Sequence, residues 1–126
     1  MGSQKIIDNI QRNLLTIGSI TAGSELRFSF IQTKKLEKVI DDLEGKLPVL
    51  KNFVVPGGSF TAGLLQYSRS LARRAERRVV SLNRVERVKP QILTYLNRLS
   101  DALFMLAREA NYKSGIRDEV WVGKKK

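Results

Sequence analysis

Ile92, Leu96, Leu99, Leu103, Leu106 and Ala110 follow one another at steps of 4, 3, 4, 3 and 4. Such steps return the side chain to one side of an α-helix, whereas a strand would scatter the same residues over both faces. Pro90 precedes the stripe and suits the first helical turn, where its missing N–H has no intrahelical partner to lose. The spacing therefore predicts a long amphipathic helix from Pro90, which must bury its apolar side against other elements.

Three earlier segments carry the same period. Ile7, Ile10, Leu14 and Ile17 predict a helix from Gln4 to about Ile20, ending in the region of Gly18 to Gly23. A Gly/Ser/Thr connector follows, in which Arg27, Phe28 and Phe30 show no clear period. Leu36, Ile40, Leu43 and Leu47 predict a second helix, with Thr33 as its candidate N-cap and Asp41, Asp42 and Glu44 on its outer face. Leu47 to Gly58, LPVLKNFVVPGG, has two prolines and two glycines and reads as an extended loop. Ser59 can cap a third helix running from Phe60 to about Leu82, with Leu64, Ser68, Leu71, Ala75 and Val79 on one side. No segment alternates with a period of two. Short connections between four such helices favour an all-α, antiparallel up-down bundle. A chain of 126 residues with 42% hydrophobic content is expected to form one domain, 1–126. The Val-Trp-Val group of the tail, IRDEVWVGKKK, is expected to pack on the bundle or on a neighbouring subunit.

Cysteine and histidine are both absent, which excludes thiol nucleophiles, disulfide frameworks, Cys/His zinc sites and every triad that needs imidazole. Lys5, Asp8 and Arg12 interrupt the first helix, so it does not read as a signal peptide. No apolar run approaches the roughly 20 residues of a membrane span. A soluble cytoplasmic protein with no membrane partner is the expectation. The net charge of +11 points to partners bearing phosphate. Seven arginines, Arg69, Arg73, Arg74, Arg77, Arg78, Arg84 and Arg87, crowd one segment. Arg69, Arg73, Glu76 and Arg77 share one face of the third helix, and the i,i+4 arginine pairs oppose helix formation by roughly 0.2–0.5 kcal/mol each unless an anion offsets them. Guanidinium groups hold phosphate in a bidentate way. The plainer alternative is a solvated basic face on which Glu76 pairs with Arg73. Asn97 offers a donor and an acceptor to a ribose or base, while Asp101 one turn on can simply pair with Arg98. Phe53, in the proline/glycine loop, is by itself a core plug.

Three runs carry a resemblance: NFVVPGG (Asn52 to Gly58), SRSLARRAERRVV (Ser68 to Val80) and YLNRLSDALFMLAR (Tyr95 to Arg108). In this order and separation they resemble successive signature blocks of the PduO-type ATP:cob(I)alamin adenosyltransferases, with a weaker resemblance over Asn9 to Leu50. That family is a five-helix, ferritin-like bundle and a homotrimer with active sites between subunits. The resemblance implies transfer of the 5′-deoxyadenosyl group of ATP to cobalt: cob(I)alamin attacks C5′ and triphosphate leaves. The metal centre of the substrate is then the nucleophile, which agrees with a chain lacking Cys and His.

The resemblance also assigns roles. Arg73 and Arg77 match arginines that contact ATP, Glu76 matches the acid supporting the Mg²⁺-nucleotide site, and Asn97 matches a nucleotide-contacting asparagine. Arg69 corresponds to an arginine paired with an aspartate across the subunit interface. Phe53 corresponds to the aromatic that crowds the lower face of the corrin and displaces its dimethylbenzimidazole. ATP, Mg²⁺ and cob(I)alamin are the implied ligands, and a cobalamin-dependent enzyme receiving the product is an implied partner. The implied location is the cytoplasm, or the mitochondrial matrix in a eukaryote. The family's T-G-D-x-G-type phosphate loop and the helix bearing the aspartate partner of Arg69 have no counterpart in this sequence, because Met1-Gly2-Ser3 leads directly into the family's second helix. A front end missing from the sequence is therefore expected. Two other readings remain beside the enzyme: a catalytically silent corrinoid-binding or scaffold homologue, and a basic helical module that binds nucleic acid. The second ranks last, since few aromatics interleave the basic cluster.

Overall fold

The computed structural model describes residues 2–48 and 58–115. It contains four helices, α1 (Ser3–Thr21), α2 (Phe30–Lys46), α3 (Phe60–Asn83) and α4 (Pro90–Lys113), and no strand among the described residues. Ser59 N–H donates to Asn111 Oδ1 at 2.8 Å, so the start of α3 lies at the end of α4 and the two run antiparallel. Asn13 of α1 reaches Tyr95 near the start of α4, whereas Ile6, Leu43 and Leu106 line one cavity near its end. Thus α1 is antiparallel to α4 and α2 parallel to it, giving the expected up-down-up-down bundle.

Local chemistry sets the helix ends. At the end of α1, Gly23 adopts φ 106°. Its N–H and that of Ser24 return to Ile20 O and Ser19 O, the bonding of a Schellman motif. Ser59 Oγ caps α3 by accepting from Ala62 N–H at 3.2 Å, as expected. Gly58 ahead of it has φ 106°, and a Cβ there would collide with the Asn111 side chain, so the last residue of the PGG run must be glycine. The N-cap of α2 differs from expectation. Ser29 Oγ accepts from Ile31 N–H at 3.1 Å, Phe30 is the first helical residue, and Thr33 lies buried inside the helix. The reason is Phe28, which is buried and meets Tyr95 edge-on at 5.1 Å between ring centroids, anchoring the chain one turn before Thr33.

α4 is the central helix and packs against both α2 and α3. Its stripe from Ile92 to Leu106 is buried, and so are Tyr95, Ala102, Met105 and Ala107. Tyr95 is wholly buried; its hydroxyl accepts from Asn13 Nδ2 at 3.1 Å, and the same amide also reaches Gln32 Oε1. Two expected core faces remain partly open. Leu14 of α1 is 41% exposed, and Leu64 and Leu71 of α3 are 51% and 47% exposed. α1 and α3 stand apart here, and these leucines border a groove of about 570 Å³ floored by Leu96, Leu99 and Leu103. Instead, α3 seats Ala62 and Ala72 against α4, small residues that permit close approach. The Val-Trp-Val group and Val49 to Gly57 lie outside the described residues.

Candidate functional site

With the pitch of roughly 3.6 residues per turn, Arg69, Arg73, Glu76 and Arg77 occupy an arc of about 100° on α3. Arg69 is half-buried: its guanidinium lies over the Phe104 ring, 5.3 Å from the centroid, and its Nε is buried with no hydrogen-bond partner among the described residues. Arg73 and Arg77 are exposed, as are Arg74, Arg78, Arg84 and Arg87. Glu76 is half-buried, and its Oε2 accepts from Asn97 Nδ2 across the α3–α4 seam at 2.9 Å. The expected alternative, an ion pair between Glu76 and Arg73, is not formed among the described residues. Packing of α3 on α4 brings the Asn97 amide to the carboxylate and leaves Arg73 outward.

Asn97 is itself part of a chain of contacts. Its Oδ1 accepts from Arg98 Nη2 at 3.3 Å, and Arg98 Nη2 pairs with Asp101 Oδ2 at 3.1 Å, the local pair that i,i+3 spacing allows. Beside these residues α2 and α4 enclose a cavity of about 490 Å³, lined by Ile40, Pro48, Phe104, Met105 and Arg108 together with Glu44, Arg98 and Asp101. Arg108 is buried and donates from Nη2 to Pro48 O at 2.6 Å, tying α4 to the last described residue before the loop that carries Phe53. Phe53 itself lies outside the described residues.

Arg73, Glu76, Arg77 and Asn97 thus fall on two facing helices, with Arg69 joining the arginine row to the Phe104 wall of the cavity. Sequence reasoning missed Phe104, which reads as one more apolar residue of α4, and Arg108, whose role depends on a carbonyl sixty residues away. No local spacing signals either. Among the described residues no group of three or more His, Cys, Asp or Glu could hold a metal, so a cation here would need oxygen ligands from elsewhere. A row of guanidinium groups flanking one carboxylate and one amide can neutralise several phosphate oxygens while fixing a polar ligand edge.

Residues 2–110 match the model of the family described as cobalamin adenosyltransferase. A corrinoid adenosyltransferase of Bacillus subtilis (strain 168) is 42% identical over 113 residues, spanning 86% of this chain and 58% of that protein. The corrinoid adenosyltransferase PduO of Citrobacter freundii is 37% identical over 116 residues, 86% of this chain and 35% of that protein. The chain therefore spans between about a third and three-fifths of the length of these two relatives. Among solved structures, a variant PduO-type ATP:corrinoid adenosyltransferase from Lactobacillus reuteri complexed with cobalamin and ATP superposes with a TM-score of 0.85 at 32% identity, covering 92% of this chain and 68% of that one. A second variant of the enzyme, complexed with ATP, gives a TM-score of 0.86 at 35% identity, covering 91% of this chain and 68% of that one.

Proposed function

Because the chain belongs to the cobalamin adenosyltransferase family, we propose that it transfers the 5′-deoxyadenosyl group of ATP to the cobalt of cob(I)alamin, yielding adenosylcobalamin and triphosphate. The observation that carries this reading is the hydrogen bond between Glu76 and Asn97, which joins the arginine row of α3 to the amide of α4 in one place. In the reaction a Co–C5′ bond forms as the C5′–O bond breaks, and the electron pair leaves with triphosphate. Arg73 and Arg77 hold the phosphates and meet the negative charge that grows on the departing oxygen. Asn97 fixes the nucleoside so that C5′ faces the corrinoid, an orienting role.

The donor set fits Mg²⁺ brought in by ATP. Mg²⁺ is bound through one or two carboxylates plus substrate phosphates, and Glu76 supplies one carboxylate beside the arginines. When bound it would share neutralisation of the triphosphate. The cavity walled by Phe104 and Met105 is the proposed seat of the corrinoid: these two with Ile40 give it an apolar side, Glu44, Arg98, Asp101 and Arg108 give it a charged one, and Pro48 on its wall comes shortly before Phe53 in sequence. Phe53 is proposed to crowd the lower face of the corrin. Arg69, with a buried Nε lacking an acceptor among the described residues, supports a homotrimer in which a neighbouring subunit supplies a carboxylate. A cobalamin-dependent enzyme is the proposed recipient of the product. A cytoplasmic or mitochondrial-matrix location is proposed as well; among the described residues no helix is long and apolar enough to cross a membrane.

The test is spectroscopic. Incubation of the protein with reduced corrinoid and MgATP should convert the corrinoid to the adenosylated form, and Arg73→Ala should lower the rate at least about 100-fold, as expected when a preorganised charge partner of the transition state is removed. Corrinoid binding without conversion would replace the enzyme by a silent corrinoid carrier. Binding of duplex DNA in preference to ATP, falling steeply with salt, would replace both.

A further inference from the structure

The amide of Asn97 has two ends of nearly equal shape and opposite chemistry, so its neighbours decide which way it points. Glu76 can only accept, and it takes Nδ2 at 2.9 Å. Arg98 can only donate, and it reaches Oδ1 at 3.3 Å. A flipped amide would set acceptor against acceptor and donor against donor. Arg98 is held in turn by Asp101 at 3.1 Å. These four side chains are exposed or half-exposed, where such pairs add little to folding, so stability alone does not account for the chain of contacts.

We infer that Arg98, steadied by Asp101, is a positioning residue that locks the Asn97 amide in the orientation a bound nucleotide meets. The inference rests on the proposed role of Asn97 as a nucleotide contact. Glu76 and Arg98 each use one hydrogen-bonding position of the amide, leaving one N–H and one oxygen lone pair for the ligand. Fixing the flip fixes which of these faces which ligand atom. Arg98 acts here as a one-sided donor. Lysine shares that property; glutamine does not, because it can turn either an acceptor or a donor towards Asn97 and release the flip.

The measurement is steady-state kinetics with MgATP and cob(I)alamin, together with calorimetric ATP binding and melting temperature, for the wild type and for Arg98→Gln, Arg98→Lys, Asp101→Asn and the double variant Arg98→Gln/Asp101→Asn. Loss of one oriented hydrogen bond should raise the KM and Kd for ATP about fivefold in Arg98→Gln, a larger factor than any change in the KM for corrinoid, with melting temperature close to wild type. Arg98→Lys should recover most of that loss. Asp101→Asn should give a smaller rise and add nothing in the Arg98→Gln background, because it acts only through Arg98. Unchanged ATP parameters in every variant of a wild type that binds ATP overturn the inference and leave the function standing. A change confined to the KM for corrinoid also overturns it, since Arg98 and Asp101 line the cavity beside Phe104. A wild type that binds no ATP removes the role of Asn97, and the positioning role goes with it.

Discussion

Tyr95 shows how one residue can be apolar in position and polar in consequence. Its ring is wholly buried, meeting Phe28 edge-on, while its hydroxyl accepts from Asn13. Burial pushes the phenol above its ordinary value of 10, and the hydrogen bond from Asn13 offsets that only in part. A phenol whose folded pKa is raised contributes stability in full below the unfolded value and loses it as pH climbs towards the folded one. The unfolded chain ionises first, so the bundle should weaken above about pH 10. Tyr95→Phe should cost about 1 kcal/mol at neutral pH, the net worth of one hydrogen bond, and should flatten the alkaline decline relative to wild type. Urea unfolding at neutral pH and above pH 10 measures both effects; equal slopes for the two proteins would mean that the Tyr95 phenol ionises as readily folded as unfolded.

At the scale of elements, stepping by 3 and 4 revealed four helices, because the period of an apolar stripe follows directly from helical geometry. The same stripe does not say what covers it. Leu14, Leu64 and Leu71 are as periodic as Leu99 and Leu103, yet they border an open groove while Leu99 is 1% exposed. Thr33 and Ser29 are both competent caps by residue type, and only the burial of Phe28 decides between them. The candidate site was only partly open to the same reading. The arginine row and Asn97 stood out by charge and by resemblance, but the Glu76–Asn97 contact joins residues of different helices and depends on packing. Burial makes the difference between the two leucines measurable. Leu99→Ala should cost about 2–5 kcal/mol, the range for emptying a filled core position. Leu71→Ala should cost less than about 1 kcal/mol, because its side chain is already near water. Comparable losses for both in chemical denaturation would show that the groove is filled in solution.

For the whole molecule, a net charge of +11 raises the free energy of any compact state unless anions or acidic surfaces sit close to the basic ones. ATP bound as proposed would relieve this at Arg73 and Arg77, which already reach solvent. Arg69 differs, because its guanidinium is held over Phe104 and its buried Nε lacks an acceptor among the described residues, a cost the single chain bears and an assembly can remove. Replacing Arg69 with methionine therefore has opposite consequences at two levels. The isolated chain loses a cation–π contact of about 0.5–1 kcal/mol but also sheds the unsatisfied group, so its stability should change little. The proposed trimer would lose a desolvated charge pair, typically about 2 kcal/mol or more, so its dissociation constant should rise at least about thirtyfold. Analytical ultracentrifugation over a dilution series reads that shift, with denaturation at low concentration as the control for folding. Arg69 belongs at the subunit seam only if the variant dissociates more readily while folding as well as wild type. An unchanged association constant would remove the carboxylate proposed to come from a neighbouring subunit, and with it the reason for a seam along this face of α3.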